Sequence, residues 1–164
     1  MTLRAFKVAA LATALVTAAP NLASAATASA NLTVTATVLS TCSVAAGSLA
    51  FGNYDPTSAL NVDQAGTFQV TCTKGTSATV GLDSGSNASG ATRRMTDGTD
   101  FLSYELYKET ARTNVWSNSG GGLVNLVAAP SNAAQTLTVY GRISGSQNVQ
   151  AGSYSDIVVI TVTF

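Results

Sequence analysis

The sequence predicts an all-β sandwich, and three observations predict it. Apolar and polar residues alternate with a period of two in several short stretches rich in Val and Thr. Clusters of Gly, Asn, Ser and Asp separate those stretches, as turns do. No long segment carries helical spacing. The 164 residues suffice for one domain with a core. Charged residues make up 10% of the chain, against about 25% in an ordinary globular protein.

The elements follow in order. "MTLRAFK" with Arg4 and Lys7, the apolar run after it, and "ASA" at residues 23–25 predict a signal peptide, 1–25, cleaved after Ala25. The apolar run is too short to span a bilayer, and the absence of a Cys at the cleavage point argues against a lipoprotein. Without Arg4 and Lys7 the chain keeps 6 basic and 8 acidic residues, a net charge of −2. No basic patch is available to hold phosphates, so nucleic acid is not expected as a partner.

"ANLTVTATV" (30–38) places Ala30, Leu32, Val34, Ala36 and Val38 on one face and Asn31, Thr33, Thr35 and Thr37 on the other, a strand pattern. "TFQVTCT" (67–73), "SATVGL" (77–82), "FLSYELY" (101–107) and "QTLTVYGRI" (135–143) are further strands. "FGNYDPTS", "LDSGSNASG", "MTDGTD", "SNSGGG" and "PSNAA" are turns, and "KETARTNVW" is a candidate helical turn. The chain ends in "SYSDIVVITVTF", with Asp156, Val158, Ile160, Val162 and Phe164 on one face and Ile157, Val159, Thr161 and Thr163 on the other.

Chemistry is hard to find. There is no His, which removes the commonest general base and metal ligand. Ser84 in "LDSGS" therefore has no triad partner and reads as a turn residue. The Gly-rich loops lack the Lys of a phosphate-binding loop. Asp97 and Asp100 in "TDGTD" are weighed as catalytic carboxylates or calcium ligands, but they lack the ligand ladder of a calcium loop and read as solvated turn acids. Arg93, Arg94 and Arg112 read as surface charge, and Trp116 and Tyr140 as core. No catalytic residue, metal site or cofactor is predicted. Cys42 and Cys72, in an exported chain, are expected to form a disulfide, the alternative being two buried thiols.

The two ends of the predicted mature chain then belong together. An apolar edge strand invites pairing unless it is covered. The alternating segment near the N-terminus suits strand addition, either onto its own sheet or onto that of the next copy, and the latter contact is head-to-tail and need not close.

The chain resembles the spore coat U domain family, which includes subunits of archaic chaperone–usher pili. The resemblance rests on "VTATVLSTCSV", "LAFGNYDPTSA", "FQVTCTKGTSATVGLDSG", "RRMTDGTDFLSYELYKETARTNVW" and "AAQTLTVYGRISGSQNVQAGSYSDIVVITVTF", in that order and over nearly the whole mature length. It implies an incomplete immunoglobulin-like β-sandwich, completed by donor-strand complementation. It also implies an N-terminal donor segment (26–40, with residues 28–38 as the strand) and a sandwich domain (41–164). Donor positions would be Ala30, Leu32, Val34, Ala36 and Val38; Val158, Ile160, Val162 and Phe164 would flank the acceptor groove and meet the chaperone; and Cys42 and Cys72 match the family's pair.

The expected partners are other copies of the chain, a periplasmic chaperone and an outer-membrane usher. The expected location is the periplasm in transit and then the cell surface, in a pilus supporting adhesion and biofilm formation. The alternatives are a spore or cell coat protein, a monomeric secreted surface-binding module with its site in loops 84–100 or 117–122, and an outer-membrane barrel ending on an aromatic strand.

Overall fold

A computed structural model describes residues 25–164; the predicted leader, apart from Ala25, lies outside the described residues. The chain divides into two units, Met1–Ala36 and Thr37–Phe164.

In the first unit, residues 25–36 carry neither strand nor helix, and Leu32 and Val34 are exposed. The alternating stretch from Ala30 to Val38 is thus not a strand in the single chain. The reason is physical: a lone strand has no neighbour for its backbone N–H and C=O groups, and no second layer to bury its Leu and Val.

The second unit holds eight strands among the described residues: β1 Cys42–Ser48, β2 Val62–Cys72, β3 Ala78–Leu82, β4 Arg93–Thr96, β5 Phe101–Tyr107, β6 Val124–Leu126, β7 Gln135–Ile143 and β8 Ile160–Thr163. All pairings are antiparallel. One sheet has the order β1-β2-β7-β5-β4 and the other β6-β3-β8. They are two open sheets and not a closed barrel. No described helix is long and apolar enough to cross a membrane.

Alternation places the core between the sheets. Phe68, Val70 and Cys72 of β2, Leu102, Tyr104 and Leu106 of β5, and Leu137, Val139 and Ile143 of β7 point inward. β3, the central strand of the small sheet, is buried at Ala78, Val80, Gly81 and Leu82. Its outer side is covered at Gly81, where a Cβ would stand 2.8 Å from the Asn118 Cα.

Trp116, 1% exposed, closes one part of the core: its ring N–H donates to the Val80 carbonyl (3.0 Å) and its ring lies 5.7 Å from that of Phe68. Tyr140, read as core, is only half-buried. Residues 108–116 hold one hydrogen-bonded turn, in which the Arg112 amide donates to the Glu109 carbonyl (3.0 Å), and no helix; the Glu109 carboxylate ties the loop by accepting from the amides of Thr113 (2.9 Å) and Asn114 (2.8 Å).

The arginines require a correction. Arg93 is 2% exposed and pairs with Glu105. Its guanidinium donates to the carbonyls of Leu82 (3.1 Å), Asp83 (2.7 Å) and Trp116 (2.7 Å). It is a buried tie between loop ends, its charge paired with Glu105 and its guanidinium hydrogen-bonded to three carbonyls. Arg112 is half-buried beside Asp63 (3.4 Å) and donates to the Gly141 carbonyl (3.1 Å).

Candidate functional site

β8 lies at the edge of its sheet. It pairs with β3 through Ile160↔Leu82, Thr161↔Gly81, Val162↔Val80 and Thr163↔Thr79, and no described strand occupies its other edge. Upstream of Ile160 the regular ladder gives way to mixed backbone and side-chain bonds. Asp83 donates its amide to the Val159 carbonyl (3.1 Å), and its carboxylate accepts from the Val159 amide (2.9 Å).

Alongside runs a groove of about 950 Å³. Its floor is the core itself: Phe68, Leu82, Leu102, Leu106, Val139 and Ile143. One lip is the segment after β1. There Phe51 meets Tyr104 edge-on (6.0 Å) and lies so close over β7 that a Cβ on Gly141 would fall 2.6 Å from its ring. The Tyr54 hydroxyl donates to the Ser144 carbonyl (3.0 Å) and accepts from the Gln147 amide (2.9 Å). The other lip is residues 149–160.

A polar node is set into this lining. The Tyr104 hydroxyl donates to Asp156 Oδ2 (2.7 Å), and Asp156 Oδ1 accepts from the amide (3.1 Å) and side chain (3.0 Å) of Asn87. Burial, followed by the bond to Asp156, pushes the Tyr104 phenol far above its usual range, so it remains a donor.

The predicted site residues fall as follows. Val158, Ile160 and Val162 are half-buried and pack on the core, with Val158 and Ile160 lining the groove. Phe164 is 57% exposed and does not join that packing. Ile157 and Val159, on the opposite face, are exposed. Cys42 and Cys72 form a disulfide that ties the start of β1 to the end of β2, where the two residues are register partners.

Asp97 is a turn acid: Oδ1 accepts from the amides of Thr99 and Asp100 (both 2.8 Å), which lowers its pKa. Among the described residues no group of three His, Cys, Asp or Glu is placed to hold a metal. Sequence reading missed the lip Leu49–Tyr54, of which Phe51–Tyr54 fell in the expected turn, although the aromatics in "FGNYDP" were its signal.

Two curled antiparallel sheets around one core, without an α-helix among the described residues, define an immunoglobulin-like β-sandwich. The family model for the Spore Coat Protein U domain matches residues 28–161. The chain belongs to that family, which is structural and not enzymatic. It is 43% identical over 176 aligned positions to Protein U of Myxococcus xanthus, with 93% of this chain and 97% of that one covered. Among solved structures it is similar to a chain of the CsuC–CsuE chaperone–tip adhesion subunit pre-assembly complex, from archaic chaperone–usher Csu pili of Acinetobacter baumannii. There the TM-score is 0.57 and the identity 23%, over 78% of this chain and 41% of that one, so the chain spans less than half of that neighbour.

Proposed function

We propose that the protein is a structural subunit of a surface pilus, polymerising head-to-tail by donor-strand exchange. The groove beside β8 carries this reading: a sheet edge with no described strand beside it and a core reachable from outside ask for one added strand. Residues 28–38 have the composition to supply it, with Ala30, Leu32, Val34, Ala36 and Val38 facing the core of the next copy. Val158, Ile160 and Val162 form the acceptor wall, with Phe164 at its end.

On this reading the chain is exported by the signal peptide at 1–25 and held in the periplasm by a chaperone strand on β8. An outer-membrane usher then passes it into a filament that supports adhesion and biofilm formation. The fold shared with a chaperone-bound pilus subunit supports this sequence of events. A second reading, a subunit of a spore or cell coat, is favoured by the match to the Spore Coat Protein U domain family and uses the same assembly chemistry.

The test is thermal unfolding of a chain lacking residues 26–38, with and without a peptide of residues 26–40. At a hundredfold excess over the dissociation constant, a bound peptide should raise the melting temperature by about 10 °C. An unchanged melting temperature would mean that the sandwich is complete alone, and a monomeric secreted binding module would be the better account.

A further inference from the structure

A chain that carries both a groove and a strand to fill it faces a competitor: itself. A tethered donor acts at an effective concentration of about millimolar, far above that of another copy, unless geometry forbids it. The chain therefore needs a reason not to close on its own groove.

That reason lies at the opposite end of β1 from the groove. The groove begins at Gly47 and Ser48, whereas the chain enters β1 at Cys42, about 20 Å away at the rise of a strand. To reach its own groove, the segment before Cys42 would have to reverse at Leu39–Ser40–Thr41 and run back beside β1 as a hairpin. Those three residues include no Gly, Asn or Asp for a tight hairpin turn.

Thr73, just beyond β2, also holds them straight. Its amide donates to the Thr41 carbonyl (2.9 Å). Its hydroxyl oxygen accepts from the Thr41 amide (3.2 Å), and its proton is shared between the carbonyls of Leu39 (3.3 Å) and Thr41 (3.4 Å). The adjacent Cys42–Cys72 bond fixes the point from which this bracket works.

The geometry points to Thr73 as an exit clamp that keeps residues 39–41 from turning back beside β1, so that the donor segment serves a second copy of this chain and not its own groove. This inference rests on the donor-strand reading. Thr73 is a positioning residue: it touches no donor or groove side chain and acts through the path of residues 39–41.

The test compares three forms of the mature chain at micromolar concentration: unchanged, Thr73→Val, and one with Gly-Gly-Ser inserted between Ser40 and Thr41. Calorimetry with added 26–40 peptide, and light scattering, are the readouts. The unchanged chain should melt low as a monomer and be stabilised by the peptide. Thr73→Val, which removes both the bond accepted from the Thr41 amide and the shared donated one, should raise the fraction of high-melting, peptide-insensitive monomer at least fivefold, and the insertion should raise it tenfold or more.

Variants that respond to peptide like the unchanged chain would overturn the clamp while the donor reading stands. A Thr73→Val chain that merely melts lower would overturn it too, because that marks a damaged fold. If the peptide does not stabilise the chain lacking 26–38, the donor reading fails and the clamp with it.

Discussion

At Trp116 the core is shut; beside β8 it is open. At Trp116 the indole is buried, its N–H is bonded to Val80, and its carbonyl is bonded to a buried arginine that also takes the carbonyls of Leu82 and Asp83. Beside β8 the apolar side chains Val158, Ile160 and Val162 are half-buried, and the outer edge of the strand has no described strand partner. Both regions belong to one core. Burying side chains and satisfying backbone groups are thus separable tasks: the chain completes both at the first region and leaves both unfinished at the second.

The strongest way to sharpen that contrast is Trp116→Ala. It removes the largest fully buried side chain and its bond to the Val80 carbonyl, so urea unfolding should show a loss of about 3–5 kcal/mol. Ile160→Ala, at the open flank, should cost less, about 1–2 kcal/mol, because that side chain is only half-buried, yet it should weaken capture of the 26–40 peptide, which Trp116→Ala does not touch. Equal losses at the two sites would break the comparison.

The smallest effect is expected where the core meets the groove. Tyr104→Phe should cost about 1 kcal/mol at neutral pH through the lost bond to Asp156. Because the folded pKa of Tyr104 is raised, the stability it contributes is present below its unfolded value of about 10 and declines as pH rises beyond it. The Phe variant should therefore lose less stability than the natural chain between neutral pH and pH 11, measured by denaturant titration at each pH.

The sheets were partly legible from sequence. β2, β3, β5 and β7 are strands where Val, Thr and aromatic residues alternate, since that pattern fits a half-buried pleat. β1, "CSVAAGS", was not, because Ala, Gly and Ser carry no β signal; it is a strand through its pairing with β2 and the disulfide. β4 was hidden by its charges: "RRM" reads as surface until the three carbonyls that Arg93 satisfies are known, and those lie 10, 11 and 23 residues away in sequence. The C-terminal strand was visible, but its start was not, because the Asp83 side chain replaces the ladder at Val159. From the residue pattern alone the groove was foreseen only as an unpaired edge; the family resemblance added its flank at Val158, Ile160, Val162 and Phe164. Its aromatic lip depends on Phe51 seating over Gly141, a tertiary contact that leaves no local pattern.

The Cys42–Cys72 bond has a mechanical consequence. A pull on the N-terminal segment meets first the Thr73 bonds to residues 39–41 and then Cys42, where the covalent bridge hands the tension to the end of β2. β2 is the longest strand and is hydrogen-bonded along both edges, to β1 and to β7. Force drawn along it shears many bonds at once and does not peel β1 off one bond at a time. The covalent path bypasses β1, whose far end, Gly47 and Ser48, borders the groove.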